Sequence, residues 1–197
     1  MKNTYNFSYK ILVDSGTLDE RQLAIKAGLG FIGNNGLVIS SEYGSRFNIG
    51  ILLTDIPLKK FYPTSDNNPT SCKIPIACCP HNCNKCITAC PTNALTGSGG
   101  INASRCISYL TQKDDLTIED ATLIGNHLYG CDICQDICPF NNPQPVACAD
   151  PKCWLAMSDA DFASVYGHTA MLWRGAALLR RNAKIVLQNS YKNDVIF

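Results

Sequence analysis

The sequence has little charge and no long apolar run. Charged residues make up 17% of the 197 residues and the formal net charge is +1, which excludes a protein that binds nucleic acid through its overall charge. Hydrophobic residues reach 46%, which excludes an intrinsically disordered chain. No stretch is as long and apolar as a membrane span, and the first residues lack the apolar run of a signal peptide. We therefore expect a soluble cytoplasmic protein of one domain or two small ones.

What the sequence has in abundance is cysteine, with twelve residues. In a chain without a secretory signal this number favours metal ligation over disulfides, because cytosolic thiols stay reduced. Most of the cysteines fall in two runs with a single cysteine between them. The first run is Cys79-x3-Cys83-x2-Cys86-x3-Cys90-Pro91, the second is Cys131-x2-Cys134-x3-Cys138-Pro139, and Cys106 lies between them.

Both runs end in x3-Cys-Pro, the ending of the bacterial two-cluster ferredoxin motif. In that motif three cysteines of a run bind one [4Fe–4S] cube and the fourth binds the other. The same crossing here predicts two [4Fe–4S] clusters with four ligands each. The first cluster would have Cys79, Cys83, Cys86 and Cys138, and the second Cys90, Cys106, Cys131 and Cys134.

Three points about the cysteines stay open on the sequence alone. The first spacing is x3 where the ferredoxin motif has x2, so Cys78 competes with Cys79 as the first ligand. Zinc is the alternative metal, since two C-x2-C pairs can hold it tetrahedrally, although zinc sites do not need the x3-Cys-Pro endings. Cys72, Cys148 and Cys153 are expected to be free or buried thiols.

The segment before the cysteines is predicted to mix strands and one helix. A strand at residues 11–13 is followed by Thr17 and Glu20, which fit a capping box. The predicted helix has Leu18, Gln22, Ile25 and Leu29 on one face and ends at Gly28 and Gly30. Further strands are predicted at residues 37–40 and 49–54, and a loop at 55–75.

Helices are predicted at four places in the remaining chain. Short ones are expected at residues 93–95 and 102–110. A third would run from Thr117, its cap, to His127, with Leu116, Ile124 and Leu128 buried. The Ala- and Leu-rich stretch 171–189 predicts a longer helix.

Several further stretches form recognisable motifs. They are Val13-Asp14-Ser15-Gly16, Lys26-Ala27-Gly28-Leu29-Gly30-Phe31-Ile32-Gly33, Leu52-Leu53-Thr54-Asp55, Cys90-Pro91-Thr92-Asn93-Ala94-Leu95, Arg105-Cys106-Ile107-Ser108-Tyr109, Gly130-Cys131-Asp132 and Leu178-Leu179-Arg180-Arg181-Asn182. These stretches resemble the epoxyqueuosine reductase family, the cobalamin-dependent iron–sulfur enzymes of queuosine tRNA modification. Family members carry roughly a hundred more residues before the Val-Asp segment, and helical repeats after the last stretch. The chain therefore resembles the central core of the enzyme, as a short homologue or a fragment.

The resemblance implies an α+β fold in three parts. Residues 1–70 would form a partial α/β domain of the cobalamin-binding type, residues 71–150 a ferredoxin-like domain with two [4Fe–4S] clusters, and residues 151–197 a C-terminal helical segment. It also implies the activity: electrons pass through both clusters to cobalamin, which reduces epoxyqueuosine to queuosine in tRNA. The partners would be that tRNA and an electron donor such as flavodoxin or ferredoxin, and the protein would be a monomer without membrane contact.

The resemblance also implies roles for residues outside the clusters. Asp14 would be the general acid, although an aspartate before a helix also serves as an ordinary turn residue. Gly28, Gly30 and Gly33 would line the cofactor, or would be only backbone turns. Arg174, Arg181 and Lys184 would face tRNA phosphates, or would form a solvated helix face. The alternative for the whole chain is a stand-alone ferredoxin-like electron carrier without a catalytic centre.

Overall fold

A computed structural model describes residues 7–14, 16–57, 78–144 and 150–194. These contain six short strands and eight helices in a mixed α and β arrangement. The strands are β1 Tyr9–Leu12, β2 Phe31–Ile32, β3 Val38–Ile39, β4 Ile51–Thr54, β5 Leu95–Gly97 and β6 Gly100–Ile101. The helices are α1 Glu20–Lys26, α2 Lys85–Ala89, α3 Ile107–Leu110, α4 Ile118–Ile124, α5 Ile133–Asp136, α6 Pro151–Ala156, α7 Asp159–Tyr166 and α8 Gly175–Asp194. None of the described helices has the length and hydropathy to cross a membrane.

The strands form three separate antiparallel pairs. β1 pairs with β4, β2 with β3, and β5 with β6. The strands predicted at residues 11–13, 37–40 and 49–54 are therefore present with shifted ends, as β1, β3 and β4. The predicted loop at 55–75 has no helix or strand at residues 55–57, and the rest of it lies outside the described residues.

Helix α1 begins later than the capping pattern predicts. Its N-cap is Asp19, whose carboxylate accepts a hydrogen bond of 3.0 Å from the Gln22 amide. The prediction of Thr17 as the cap is wrong, because the Asp19 carboxylate is a strong N-cap acceptor two residues nearer the helix. The face that carries Leu18 and Leu29 is not the buried one, since both leucines are exposed and Ala24 is the buried residue. The helix ends before Gly28, whose φ is +74°.

A tight turn between β2 and β3 brings the first part of the chain against the cysteine-rich part. Gly36 in this turn has φ +77°, and a Cβ there would lie 2.9 Å from the Gly99 carbonyl oxygen in the β5–β6 hairpin. Both the positive φ and this close approach require glycine at position 36. The Arg21 guanidinium donates to the Gly36 carbonyl at 3.0 Å, which ties α1 to the same turn.

A second contact joins the loop after β3 to the end of the second cysteine run. The Ser45 amide donates to the Asn141 side-chain oxygen at 2.7 Å, and the Asn141 amide group donates to the Ser45 hydroxyl at 2.9 Å. Arg46 forms ion pairs with Asp132, the N-cap of α5, and with Asp136, the last residue of α5. The second cysteine run is thus held from both its ends by a loop of the first part of the chain.

Two of the short helices predicted in the middle of the chain are present with different ends, and one is not. Asn93 has φ +51°, which ends any helix there, and Leu95 instead pairs with Ile101 in the β5–β6 hairpin. Residues 102–110 form a 3-10 turn and then α3. Thr117 caps α4 in a capping box with Asp120, as the cap was predicted, but α4 ends at Ile124 because Gly125 has φ +58°. Ile124 is fully buried.

The last part of the chain is a helical unit with its own apolar core. Helix α6 starts at the Asp150 cap with proline in its first turn, and α7 starts at Ser158, whose hydroxyl accepts from the Asp161 amide at 3.1 Å. Both pack with α8. The core of this unit consists of Trp154, Phe162, Leu178, Leu179 and Ala183.

The long C-terminal helix starts later and ends later than predicted. Residues Ala170–Arg174 form a 3-10 turn, and α8 begins directly after it at Gly175, whose φ is +77°. From α8 the fully buried Asn182 donates to the Thr111 carbonyl at 2.7 Å and to the Leu128 carbonyl at 2.9 Å. These hydrogen bonds join the helical unit to the cysteine-rich part.

Candidate metal centre

Four cysteines from both runs line one cavity. Cys79, Cys83 and Cys86 come from the first run and Cys138 from the end of the second. The cavity encloses about 300 Å³, part of it open to solvent, and Ile39, Pro139 and Phe140 contribute to its walls. Phe31, Ile39 and Phe140 pack around Cys138 as an apolar cluster. The four thiols are those that the crossing pattern predicts for the first cluster.

The other four predicted ligands form a second group. Burial raises the pKa of the Cys134 thiol, and the thiols of Cys131, Cys106 and Cys90 lie close enough for their charges to raise it further, with Cys86 of the first group contributing as well. The thiols of Cys106 and Cys90 act on Cys131 in the same way. The single cysteine between the runs, Cys106, lies where the 3-10 turn meets α3 and so reaches this group.

Two short helices place the two groups side by side. Helix α2 carries Cys86 and is followed by Cys90, and α5 carries Cys134 and is followed two residues later by Cys138. Cys86 and Cys138 line the first cavity, and Cys90 and Cys134 belong to the second group. Each helix, together with the residues that directly follow it, therefore contributes one thiol to each group, and α2 packs against α5. Cys134 also interacts with Cys86 of the first group, so the groups are neighbours.

Hydrogen-bond donors surround the sulfur of Cys90. The Ala94 amide donates to it at 3.3 Å, and the Thr92 hydroxyl lies 3.6 Å away. Burial alone would raise the pKa of Cys90, but the hydrogen bonds from Thr92, Ala94 and Leu95 outweigh it and lower the pKa. The Pro91 turn thus favours the thiolate of Cys90, the form in which cysteine binds metal.

The first group fits a sulfide-containing cluster by a further observation. Asn35, 2% exposed, lines the same cavity, and its side-chain nitrogen has no hydrogen-bond partner among the described residues. A buried donor of this kind requires an acceptor, and a [4Fe–4S] cube carries sulfide and thiolate sulfurs that accept hydrogen bonds. Four thiols and an unsatisfied donor around one space therefore fit such a cube.

Three ligand candidates hold their thiol protons more tightly than an ordinary cysteine does. Burial is the main cause that raises the pKa of Cys86 and of Cys131, with repulsion from neighbouring cysteines added. Burial and the neighbouring thiols raise the pKa of Cys134 to about 12. Since metals bind the thiolate, loading the sites must release these protons.

The affinity of the thiol groups for metal is therefore expected to increase as the pH rises. Each proton released makes the apparent affinity about tenfold stronger per pH unit, as long as the pH lies below the thiol pKa. We expect Co²⁺, used as a probe of the reduced metal-free protein, to bind at least about tenfold more tightly at pH 8 than at pH 7, followed by thiolate-to-cobalt charge-transfer absorbance. The Cys153→Ser variant, which changes an exposed cysteine on α6, should keep the same dependence. A pH-independent affinity would contradict the assignment of protonated ligands.

The cysteines outside the two groups differ in position. Cys78 is exposed and does not line the cavity, whereas its neighbour Cys79 does. Cys153 is an exposed free thiol on α6, and Cys72 and Cys148 lie outside the described residues. Within the described ranges, no three or more His, Cys, Asp or Glu side chains are placed to hold one metal ion.

The three glycines assigned to the cofactor have packing reasons for their identity. A Cβ at Gly30 would lie 2.1 Å from the Ile39 carbonyl oxygen, and one at Gly33 would lie 2.4 Å from the Ile39 side chain. Gly28 has φ +74° at the end of α1. Their role toward a cofactor stays a prediction.

Asp14 lies on the loop between β1 and α1 and does not reach the thiol groups through any contact that the described residues show. Its side chain is exposed, and its φ of +48° places it in the left-handed region. The partial burial expected of a general acid is therefore absent in this conformation. Its catalytic role stays a prediction.

The basic residues of the last helical part are mostly held by internal partners. The Arg181 guanidinium donates to the carbonyls of Lys113 at 2.7 Å and Asp114 at 2.6 Å, and burial lowers its pKa. Arg174 lies over the Trp173 ring and pairs with Asp114 at 3.4 Å. Lys184 is exposed. Their internal contacts give the two arginines a structural role, while contact with tRNA stays a prediction.

Sequence reasoning missed the polar residues beside the cysteines. The Asn34 amide donates to the Cys79 sulfur at 3.4 Å, and the Asn34 side chain donates to the Cys83 carbonyl at 2.7 Å. No spacing in the sequence marks Asn34 or Asn35. Thr92 alone of these polar residues has a local signal, since it lies two residues after a cysteine.

Comparison with known proteins agrees with this geometry. Residues 79–141 match the 4Fe–4S double cluster binding domain, which confirms the prediction of two such clusters. The epoxyqueuosine reductase of Staphylococcus aureus is 38% identical over 95% of this chain and 49% of its own length, and that of Bacillus subtilis is 39% identical over 90% and 46%.

Solved structures agree as well. An epoxyqueuosine reductase with an epoxyqueuosine-modified tRNA-Tyr stem loop superposes with a TM-score of 0.77 and 35% identity, over 95% of this chain and 50% of that one. The structure of the Bacillus subtilis enzyme with its catalytic aspartate loop swung out of the active site has a TM-score of 0.75 and 34% identity, over the same shares.

The chain spans about half the length of the relatives it matches. The resemblance predicted from the motifs is confirmed over that half, in sequence and in fold. Over that half the chain is thus a homologue of epoxyqueuosine reductases, and its residues 79–141 match a 4Fe–4S double cluster binding domain.

Proposed function

We propose that the chain binds two [4Fe–4S] clusters with crossed ligands. Cys79, Cys83, Cys86 and Cys138 would hold the first, and Cys90, Cys106, Cys131 and Cys134 the second. The observation that carries this proposal is the shared cavity of the first four thiols, which draws ligands from both runs. The electrostatic coupling of Cys134 to the other three thiols of the second group supports it.

The neighbouring clusters would pass electrons one at a time. A [4Fe–4S] cluster, when bound, supplies one-electron transfer, and removal of an epoxide oxygen needs two electrons. The packing of α2 on α5 supports a short path between the sites, since both helices contribute a thiol to each. The hydrogen bonds to Cys79 and Cys90 would orient these ligands and exclude water from their sulfurs.

The reaction that we propose is the reduction of epoxyqueuosine to queuosine in tRNA, in the cytoplasm, with a flavodoxin or ferredoxin as donor and the chain as a monomer. Relatives named epoxyqueuosine reductase, one of them solved with a modified tRNA stem loop, support it. Cobalamin would supply the two-electron chemistry, with residues 7–57 as part of its domain. The three glycines do not support that site, since their packing on β3 or helix-end conformation explains them. The corrinoid therefore rests on the resemblance.

Of the basic residues assigned to tRNA, Lys184 is the best supported. Its side chain is exposed on α8, whereas the Arg174 and Arg181 guanidiniums contact Asp114 and backbone carbonyls. A lysine of this kind suits sequence-independent contact with phosphates. The two arginines would then shape the surface around it.

Asp14 would protonate the leaving oxygen. The homologue solved with its catalytic aspartate loop swung out of the active site supports a role for an exposed aspartate on a loop, which is how Asp14 lies here. We expect Asp14→Asn to reduce the rate by about 10² to 10⁴ while iron content stays unchanged, measured by chromatography of the nucleosides. An unchanged rate would remove Asp14 from the reaction.

The experiment for the whole function uses the reconstituted chain with cobalamin, a chemical reductant and an epoxyqueuosine-containing stem loop. The proposal expects a shift of the corrinoid absorbance on titration and the appearance of queuosine. Reducible clusters without corrinoid binding or product would instead establish the alternative, an electron carrier.

A further inference from the structure

Asn35 carries an unsatisfied buried donor next to the first group of thiols. It lies in the turn between β2 and β3 and is 2% exposed. Its side-chain oxygen accepts a hydrogen bond of 3.3 Å from the Leu37 amide, which fixes the orientation of the carboxamide. Its nitrogen has no partner among the described residues. Burial of such a donor destabilises the fold unless an acceptor occupies the adjoining space.

The adjoining space is the cavity of the first cysteine group. Asn35 lines it together with all four thiols. The turn is held over the cavity by its neighbour Asn34, whose amide donates to the Cys79 sulfur at 3.4 Å and whose side chain donates to the Cys83 carbonyl at 2.7 Å. The Asn35 nitrogen is therefore kept in place by the hydrogen bonds of Asn34 before it and of the Leu37 amide after it.

We propose that the Asn35 side chain donates a hydrogen bond to a sulfur of the first cluster and thereby raises the reduction potential of that cluster. Reduction adds one electron, and its charge spreads onto the sulfide and thiolate sulfurs. A fixed donor stabilises the extra charge more than the oxidised form, so the midpoint moves to a more positive value. Asn35 is a positioning and tuning residue, since it acts on the cluster and not on the substrate.

The inference rests on the proposed ligands of the first cluster, and it reaches beyond them. It makes the β2–β3 turn, which contributes no cysteine, a determinant of the energy of one electron-transfer site. The second site obtains donors from its own Pro91 turn, through Thr92 and Ala94. The two clusters would therefore be tuned by different parts of the chain, and independently of one another.

The test is a redox titration of the reconstituted full chain followed by electron paramagnetic resonance. In Asn35→Leu we expect the midpoint potential of one cluster to fall by about 59 mV, so that its one-electron reduction is about tenfold less favourable. The midpoint potential of the other cluster should stay unchanged. Asn35→His keeps a ring N–H donor and should recover most of the shift. The matched control Thr92→Val, which removes the hydroxyl beside Cys90, should move only the other midpoint.

Iron content separates the possible failures. Wild-type protein without about eight iron atoms would overturn the two-cluster proposal, and this inference with it. If the Asn35→Leu variant does not assemble its clusters, Asn35→Asp takes its place. The aspartate keeps the oxygen that accepts from the Leu37 amide and removes the donor, so the midpoint potential of the first cluster should fall further than the shift expected for leucine. Unchanged midpoints in an Asn35 variant with full iron content, or an equal shift of both, would overturn the role of Asn35 alone.

Discussion

Replacing Cys138 with serine is expected to remove the same cluster as replacing Cys86, although the two residues belong to different cysteine runs. Both line the cavity of the first group. Each single variant should fall from about eight iron atoms to about four, since each cube holds four. Cys90→Ser should also lose about four, from the other cluster. Iron analysis and Mössbauer spectroscopy measure the loss.

Double variants distinguish crossed from uncrossed ligands. With crossing, Cys86→Ser combined with Cys138→Ser loses one cluster, and Cys86→Ser combined with Cys90→Ser loses both, so effects within one site are not additive. With each run holding its own cube, the two results would be exchanged. Cys153→Ser, on exposed α6, is the control and should keep the full iron content.

Removing both clusters is expected to unfold residues 78–144. The helices α2, α3 and α5 in this part have only four or five residues, which is too short for stability without tertiary support. The free energy of cluster binding then contributes directly to the free energy of folding, as in other small metal domains. We expect hydrogen-exchange protection in this part to fall by about a thousandfold or more, equivalent to about 4 kcal/mol of local stability.

The helical unit of α6, α7 and α8 provides the internal control for that experiment. Its core of Trp154, Phe162, Leu178 and Leu179 needs no metal, so its amides should stay protected in the cluster-free protein. Equal loss of protection across both parts would mean that the unit depends on the clusters, through contacts such as those of Asn182. Retained protection at residues 78–144 would contradict the clusters as the source of stability there.

The cysteine geometry could be predicted from the sequence because it follows from short-range spacing. The x3-Cys-Pro endings predict which thiol leaves its run, and the structure groups the thiols in that way. The Thr117 cap was predictable for the same reason, since cap and partner lie three residues apart. Local sequence patterns were sufficient where the residues that decide the structure lie only a few positions apart.

Features decided by tertiary contacts were not predictable. The helix expected at residues 93–95 is excluded by Asn93 in the left-handed region and by the pairing of Leu95 with Ile101. The buried side of α1 could not be predicted, since Leu18 and Leu29 are exposed and the small Ala24 is buried. A helical segment was expected at residues 151–197, but α6 and α7 could not be located individually because short capped helices leave weak periodicity. Asn35 reaches the thiols only through folding, so no spacing marks it.

The most direct test of the account is the measurement of iron and acid-labile sulfide in the anaerobically reconstituted chain, together with its Mössbauer spectrum. Two [4Fe–4S] clusters predict about eight of each per chain and spectra of four-iron cubes only. About four of each, or stoichiometric zinc without sulfide, would contradict the account of two neighbouring clusters.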